Sequence, residues 1–137
     1  MGATKGGLRW DCEKSGCYCK ACLPLFGDLN TAFDGRIAFS DIDAVVEKNN
    51  HFLFLEWKTT EKEPRMSEGQ NRLYLALSSL KDTTVVVVSG SPGQGPVHGV
   101  MVYSKGKRGT WGPTDRRGLR LRISAWYSRA KSNRSTT

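Results

Sequence analysis

Four valines in a row, Val85 to Val88 in TTVVVVSG, constrain this chain more than any other segment. A strand with one wet face alternates apolar and polar residues. This run offers no polar face and ends in the Gly/Pro-rich loop SGSPGQGP, so it reads as a buried strand. Before it, MSEGQNRLYLALSSLK places Met66, Gln70, Leu73, Leu77 and Leu80 at spacings of 4, 3, 4 and 3, which is one face of a helix, with Ser67 as a cap near its start. Further upstream, from Ile37 to Thr59, RIAFSDIDAVVEKN and HFLFLEWKTT read as strands joined by a hairpin turn at Asn49-Asn50. Downstream, VHGVMVYSK gives another strand and GKRGTWGPT a loop. DRRGLRLRISAWYSRAK then suits a helix with Leu119, Ile123, Trp126 and Tyr127 on one side and arginines on the other, although Gly118 weakens it. A short helix starting at Pro24, with Leu23, Leu25, Phe26, Leu29 and Phe33, is expected near the N-terminus. Helix, strands, helix, strands, helix is the order of a mixed α/β domain.

The chain has 137 residues, 38% hydrophobic and 25% charged, which suits one globular domain over 1–137 and excludes collagenous, disordered and disulfide-scaffold readings of the whole. No run approaches the roughly 18 to 20 apolar residues of a spanning helix, and MGATKGGLRW lacks the apolar stretch of a signal peptide. Gly6 stands where a myristoylation motif needs Ser or Thr. A cytoplasmic protein is expected. The net charge of +8 is concentrated: residues 105–137 carry ten Lys and Arg against Asp115 alone, and residues 1–104 are nearly neutral. A basic segment of that density draws a polyanion, and nucleic acid phosphate is the usual one; a merely solvated tail is the plainer alternative.

Acidic residues and a lysine sit where strands normally avoid them. In HFLFLEWK, Glu56 and Lys58 share one face while Leu53, Leu55 and Trp57 share the other. Asp41, Asp43 and Val45 likewise share a face of the preceding strand, and the Asn49-Asn50 hairpin brings Asp43 near Glu56. Two converging carboxylates repel one another unless a cation lies between them, and Mg²⁺ suits one or two carboxylates plus substrate phosphates. Lys58 beside such a metal would position an attacking water or neutralise charge developing on a phosphate. Gln70, on the apolar face of the following helix, asks for a buried hydrogen-bond partner that a nearby site would provide.

SDIDAVV, FLFLEWK and GQNRLYLAL together resemble the PD-(D/E)XK nuclease superfamily. Its pattern is an acidic residue before apolar ones, an apolar strand ending E-x-K, and a helix carrying Q-x-x-x-L. The likeness covers residues 33–90 and is greatest to the small resolvase-like and VRR-NUC-like endonucleases of phages and repair systems. It implies a restriction-endonuclease-like α/β core, a mixed central sheet flanked by helices. It also implies Mg²⁺ or Mn²⁺ held by Asp43 and Glu56, Lys58 as catalytic lysine, Gln70 as the supporting glutamine, and structured DNA as substrate. Two departures stand out: the usual Pro-Asp is Ile42-Asp43, which leaves Asp41 a rival ligand, and no glutamate marks a first helix, where Asp28 and Glu13 are the nearest substitutes.

Cys12, Cys17, Cys19 and Cys22, within the segment 10–24, form a C-x4-C-x-C-x2-C cluster that suits a closed structural Zn²⁺ site. An iron–sulfur cluster, two disulfides and free thiols are the alternatives, disulfides being rare in a reducing cytoplasm. With four thiols filling that site, His51 and His98 read as a strand-start residue and a loop residue. In the basic segment 105–137, Lys105, Lys107, Arg108, Arg116, Arg117, Arg120 and Arg122 are the phosphate-contact candidates. Trp126 reads as core, and Trp111 is open between core and base stacking. The expected protein is a Mg²⁺-dependent DNA endonuclease, monomer or homodimer, with no membrane partner. The rival is a zinc-stabilised nucleic-acid-binding protein whose nuclease-like core does not cut.

Overall fold

The computed structural model describes residues 28–91, 93 and 95–132. They fall into two compact units divided between Ser40 and Asp41. In the first, Leu29–Ala32 forms a single 3₁₀ turn, the Phe39 N–H donates to Asn30 Oδ1 at 2.9 Å, and Phe33 and Phe39 meet edge to face at 5.3 Å. The expected helix from Pro24 begins outside the described residues, and this 3₁₀ turn is what is described of it. Residues 37–43 form no strand; the extended structure expected from Ile37 starts only at Ala44.

The second unit is an α/β layer structure. Strands β1 (Ala44–Lys48), β2 (His51–Thr59), β3 (Thr83–Gly90) and β4 (Val97–Ser104) run in that order, followed by the two-residue β5 (Lys107–Arg108), while β6 (Gly112–Pro113) also pairs with β4. The β2–β3 pair is parallel, with helix α1 (Glu68–Ser78) between them in the chain; the other pairs are antiparallel. Helix α2 is Arg116–Ser132. No helix among the described residues is long and apolar enough to cross a membrane.

Local chemistry accounts for each boundary. Asn49 and Asn50 have φ of 51° and 65°, the left-handed pair that a two-residue hairpin turn needs and asparagine tolerates. That turn fixes the register Lys48↔His51 through Ala44↔Leu55. Asn49 Nδ2 also donates to the Ala130 and Lys131 carbonyls in the last turn of α2. Ser67 caps α1 in a full capping box with Gln70. At the start of α2, Asp115 Oδ1 accepts from the Gly118 N–H at 2.8 Å, and a side chain at Gly118 would run into the Thr114 hydroxyl. The glycine that weakened the helix on propensity therefore sits where the cap is folded tightest.

The valine run feeds two cores. Val85 and Val87 pack with Tyr74, Met101 and Tyr103 under α1, whereas Val86 and Val88 pack with Leu53, Val100, Leu119 and Trp126 under α2. A central strand covered on both faces has no use for polar alternation. The observed faces of the helices differ from the expected ones. In α1, Tyr74 and Ser78 are the buried pair and Leu73 and Leu77 flank them, while Leu80 lies beyond the end of the helix and is exposed. In α2, Leu119, Trp126 and Ala130 are buried, and Tyr127 is exposed. His98 lies inside β4 rather than in a loop, while His51 does begin β2.

Trp111 belongs with the core. Its Nε1 donates to Ser89 Oγ at 3.0 Å, Ser89 Oγ donates to the Lys62 carbonyl at 3.1 Å, and its ring lies directly on Gly99. A Cβ at position 99 would overlap the indole, so Gly99→Ala is expected to displace Trp111 and destabilise by about 2 kcal/mol. Urea unfolding checks this; an unchanged midpoint would mean that Trp111 is not seated as described.

Candidate functional site

The hairpin register sets the site. With Ala44 opposite Leu55, the next residue back, Asp43, comes to the level of Glu56. Asp43 Oδ2 accepts from the Trp57 backbone N–H at 2.7 Å, which ties the residue before β1 onto β2. The Asp43 and Glu56 carboxyls lie within hydrogen-bond reach of each other. Asp41, the rival, is exposed, and Asp43 is the one that meets Glu56.

Glu56 is only 6% exposed, on the sheet face that α1 covers, opposite Val87 on β3. Tyr74, 2% exposed, donates its hydroxyl to Glu56 Oε2 at 2.5 Å. Burial, then the hydrogen bond with Asp43, push the Glu56 carboxyl up to about 7; the Tyr74 hydrogen bond and the nearby Lys58 ammonium oppose the rise. Burial and the bond to Glu56 push the Tyr74 phenol upward as well, so it remains a donor. Lys58, two residues along β2 on the same face, stands opposite Ser89. Asp43, Glu56 and Lys58 are thus brought together as their sequence positions suggested.

Gln70 is placed differently. Its Oε1 accepts from the Ser67 N–H at 3.4 Å within the capping box, and the side chain that reaches Glu56 comes from Tyr74, one turn further on. Counting from Gln70, Tyr74 occupies the position that Q-x-x-x-L gives to leucine. A tyrosine in the middle of an apolar helix face, with a hydroxyl needing a partner, was the signal that could have found it.

The basic residues divide between the two ends of the sheet. Glu56 and Lys58 lie toward the C-terminal end of β2, with Gly90 at the end of β3, Val97 at the start of β4 and the first turn of α2. Arg116 reaches this end: its guanidinium is 6.0 Å from the Trp57 ring centre, and it donates to the Gly95 carbonyl at 3.2 Å. Arg108 extends back from β5 to Met101 Sδ at 3.3 Å and Glu63 Oε2 at 3.5 Å, in the loop that leads into α1. Lys105 and Lys107 flank the β4–β5 turn at the opposite end, where the Gly106 N–H donates to the Ser78 carbonyl. Arg117, Arg120 and Arg122 are exposed on α2, which covers the sheet face away from Glu56. The phosphate-contact candidates of the basic segment therefore do not all lie on the side of the sheet that carries the carboxyls.

Among the described residues, no group of three or more His, Cys, Asp or Glu that could hold a metal ion converges. Cys12, Cys17, Cys19 and Cys22 lie outside the described residues. Comparison with protein-family profiles, with curated proteins and with solved structures found no match to this chain.

Proposed function

We propose that this protein is a metal-dependent DNA endonuclease of the PD-(D/E)XK type, selective for branched, nicked or flapped DNA and of phage or mobile-element origin. The observation that carries this reading is the buried meeting of the Asp43 and Glu56 carboxyls with Lys58 beside them. A buried carboxyl set against a second one is a poor structural element and a good hard-cation site, because a divalent ion offsets the repulsion between them. The donor set therefore fits Mg²⁺ or Mn²⁺, held by Asp43 and Glu56.

When bound there, the ion supplies Lewis-acid stabilisation of a phosphodiester and acidifies water. The chain's own residues do the rest. The Trp57 N–H and the Tyr74 hydroxyl each hold one oxygen of the two carboxylates, fixing their orientation before substrate arrives. The Lys58 ammonium orients the attacking water and offsets charge growing on the phosphate oxygens. Arg116, at the same end of the sheet but on the α2 face beside Trp57, is the basic residue placed to reach the flanking backbone. The remaining basic residues gather DNA by long-range attraction, as their distribution over both ends and the far face suggests. For Cys12, Cys17, Cys19 and Cys22 the spacing supports a structural Zn²⁺, which elemental analysis of protein purified without added metal tests.

One observation favours the rival binder: Glu56 is deeply buried and already hydrogen-bonded, as a purely structural carboxyl would be. Incubation with labelled branched, nicked and single-stranded DNA in Mg²⁺ or Mn²⁺ separates the two. Wild type is expected to cut at least one substrate, and Lys58→Ala to slow that cut by about 10²-fold or more while retaining DNA binding. No cleavage of any substrate, or cleavage indifferent to Lys58→Ala, overturns the reading.

A further inference from the structure

Tyr74 is a buried polar group that no motif assigned. Its ring packs edge to face on Tyr103 at 5.4 Å and is wedged among Val85, Val87 and Met101, so the hydroxyl is held by the core rather than by a flexible stem. It is aimed at one atom, Oε2 of Glu56. On the other carboxylate the Trp57 N–H plays the matching part on Oδ2 of Asp43. Each carboxylate therefore has one oxygen tied to a protein donor, and the two carboxyls meet one another.

Cations differ in what they ask of such a pair. Ca²⁺ takes roughly 6–8 oxygens and commonly grips a carboxylate through both; Mg²⁺ and Mn²⁺ are content with six, one oxygen per carboxylate and the rest from water or phosphate. Two-oxygen ligation by Glu56 would compete with the Tyr74 bond for Oε2, and that bond is charge-assisted and in a dry setting. We propose that Tyr74 is a positioning residue that sets the cation preference of the Asp43–Glu56 pair, holding Oε2 of Glu56 so that the site accepts a small six-coordinate ion and disfavours Ca²⁺. This inference rests on the endonuclease reading above.

Calorimetric titration of the full chain with Mn²⁺ and with Ca²⁺ tests it without using activity. Wild type is expected to bind Mn²⁺ at least about tenfold more tightly than Ca²⁺, and Tyr74→Phe to lose at least about tenfold of that preference, the scale of one charge-assisted hydrogen bond. Tyr103→Phe is the control, because its hydroxyl bonds Asn71 at 2.7 Å and not the site; it removes the same atom from the same cluster and should leave the ratio unchanged. An unaltered ratio in Tyr74→Phe, or an equal change in Tyr103→Phe, overturns the assignment. So does a wild type that binds Ca²⁺ as tightly as Mn²⁺, an outcome that stands even if Tyr74→Phe does not fold. A wild type that binds neither ion overturns the endonuclease reading itself.

Discussion

Glu56→Gln is expected to make the metal-free protein more stable at pH 8 while reducing DNA cleavage by at least about 10²-fold. The wild-type carboxyl ionises near 4.5 when unfolded and near 7 when folded, since burial and Asp43 favour its protonated form. Its contribution to stability is therefore fully present below about 4.5 and is lost as pH rises through about 7. A tenfold change in proton affinity corresponds to ~1.4 kcal/mol, so by pH 8 the ionised pair destabilises the apo fold by on the order of 3 kcal/mol. Glutamine keeps a carbonyl for the Tyr74 hydroxyl, adds an N–H₂ toward Asp43 and carries no charge. Urea unfolding at pH 5 and pH 8 should show the variant gaining on wild type by about 2 to 3 kcal/mol between the two. Saturating Mn²⁺ should narrow that gap by stabilising only wild type. Parallel pH profiles for the two proteins would mean that Glu56 is not the strained member of the site.

Trp126→Ala is expected to cost about 3 to 5 kcal/mol, a large part of the roughly 5 to 15 kcal/mol that holds a domain folded. Trp126 is 7% exposed and packs with Leu53, Val86, Val100 and Leu119 between α2 and the sheet. A cavity of about 250 Å³ already opens beside it, lined by Leu53, Val86, Leu119 and Arg122 among others, so truncation enlarges a void that the structure does not close. Tyr127, its neighbour, is 46% exposed, with the Lys131 ammonium over its ring at 5.6 Å. Tyr127→Ala should cost less than about 1 kcal/mol. Thermal or urea unfolding of the pair checks the rotation of α2: equal losses would mean that both aromatics face the core.

These pairs also mark what could be read from the chain alone. The hairpin was legible because Asn49-Asn50 is turn chemistry, and that turn brings Asp43 and Glu56 to the same level. The buried strand was legible because four valines leave no wet face. The helix faces were read less well, since counting leucines ignores tyrosine, and Tyr74 is the residue around which α1 is seated. Residues 37–43 look extended by composition yet form no strand, because β propensity alone does not make one. The basic residues were visible as a sum, but their division between the two ends and two faces of the sheet depends on where α2 packs, which net charge does not encode.

On the proposed function, Asp43 and Glu56 share one divalent cation. Anomalous diffraction at the manganese edge from crystals of the full chain grown with Mn²⁺ tests it directly. A single strong peak in contact with both carboxylates is expected, at about 2.0 to 2.3 Å, and it should be lost in Glu56→Gln. Crystals with no peak between the two carboxyls, from protein that still binds DNA, would contradict it and leave a nuclease-like core that binds without cutting.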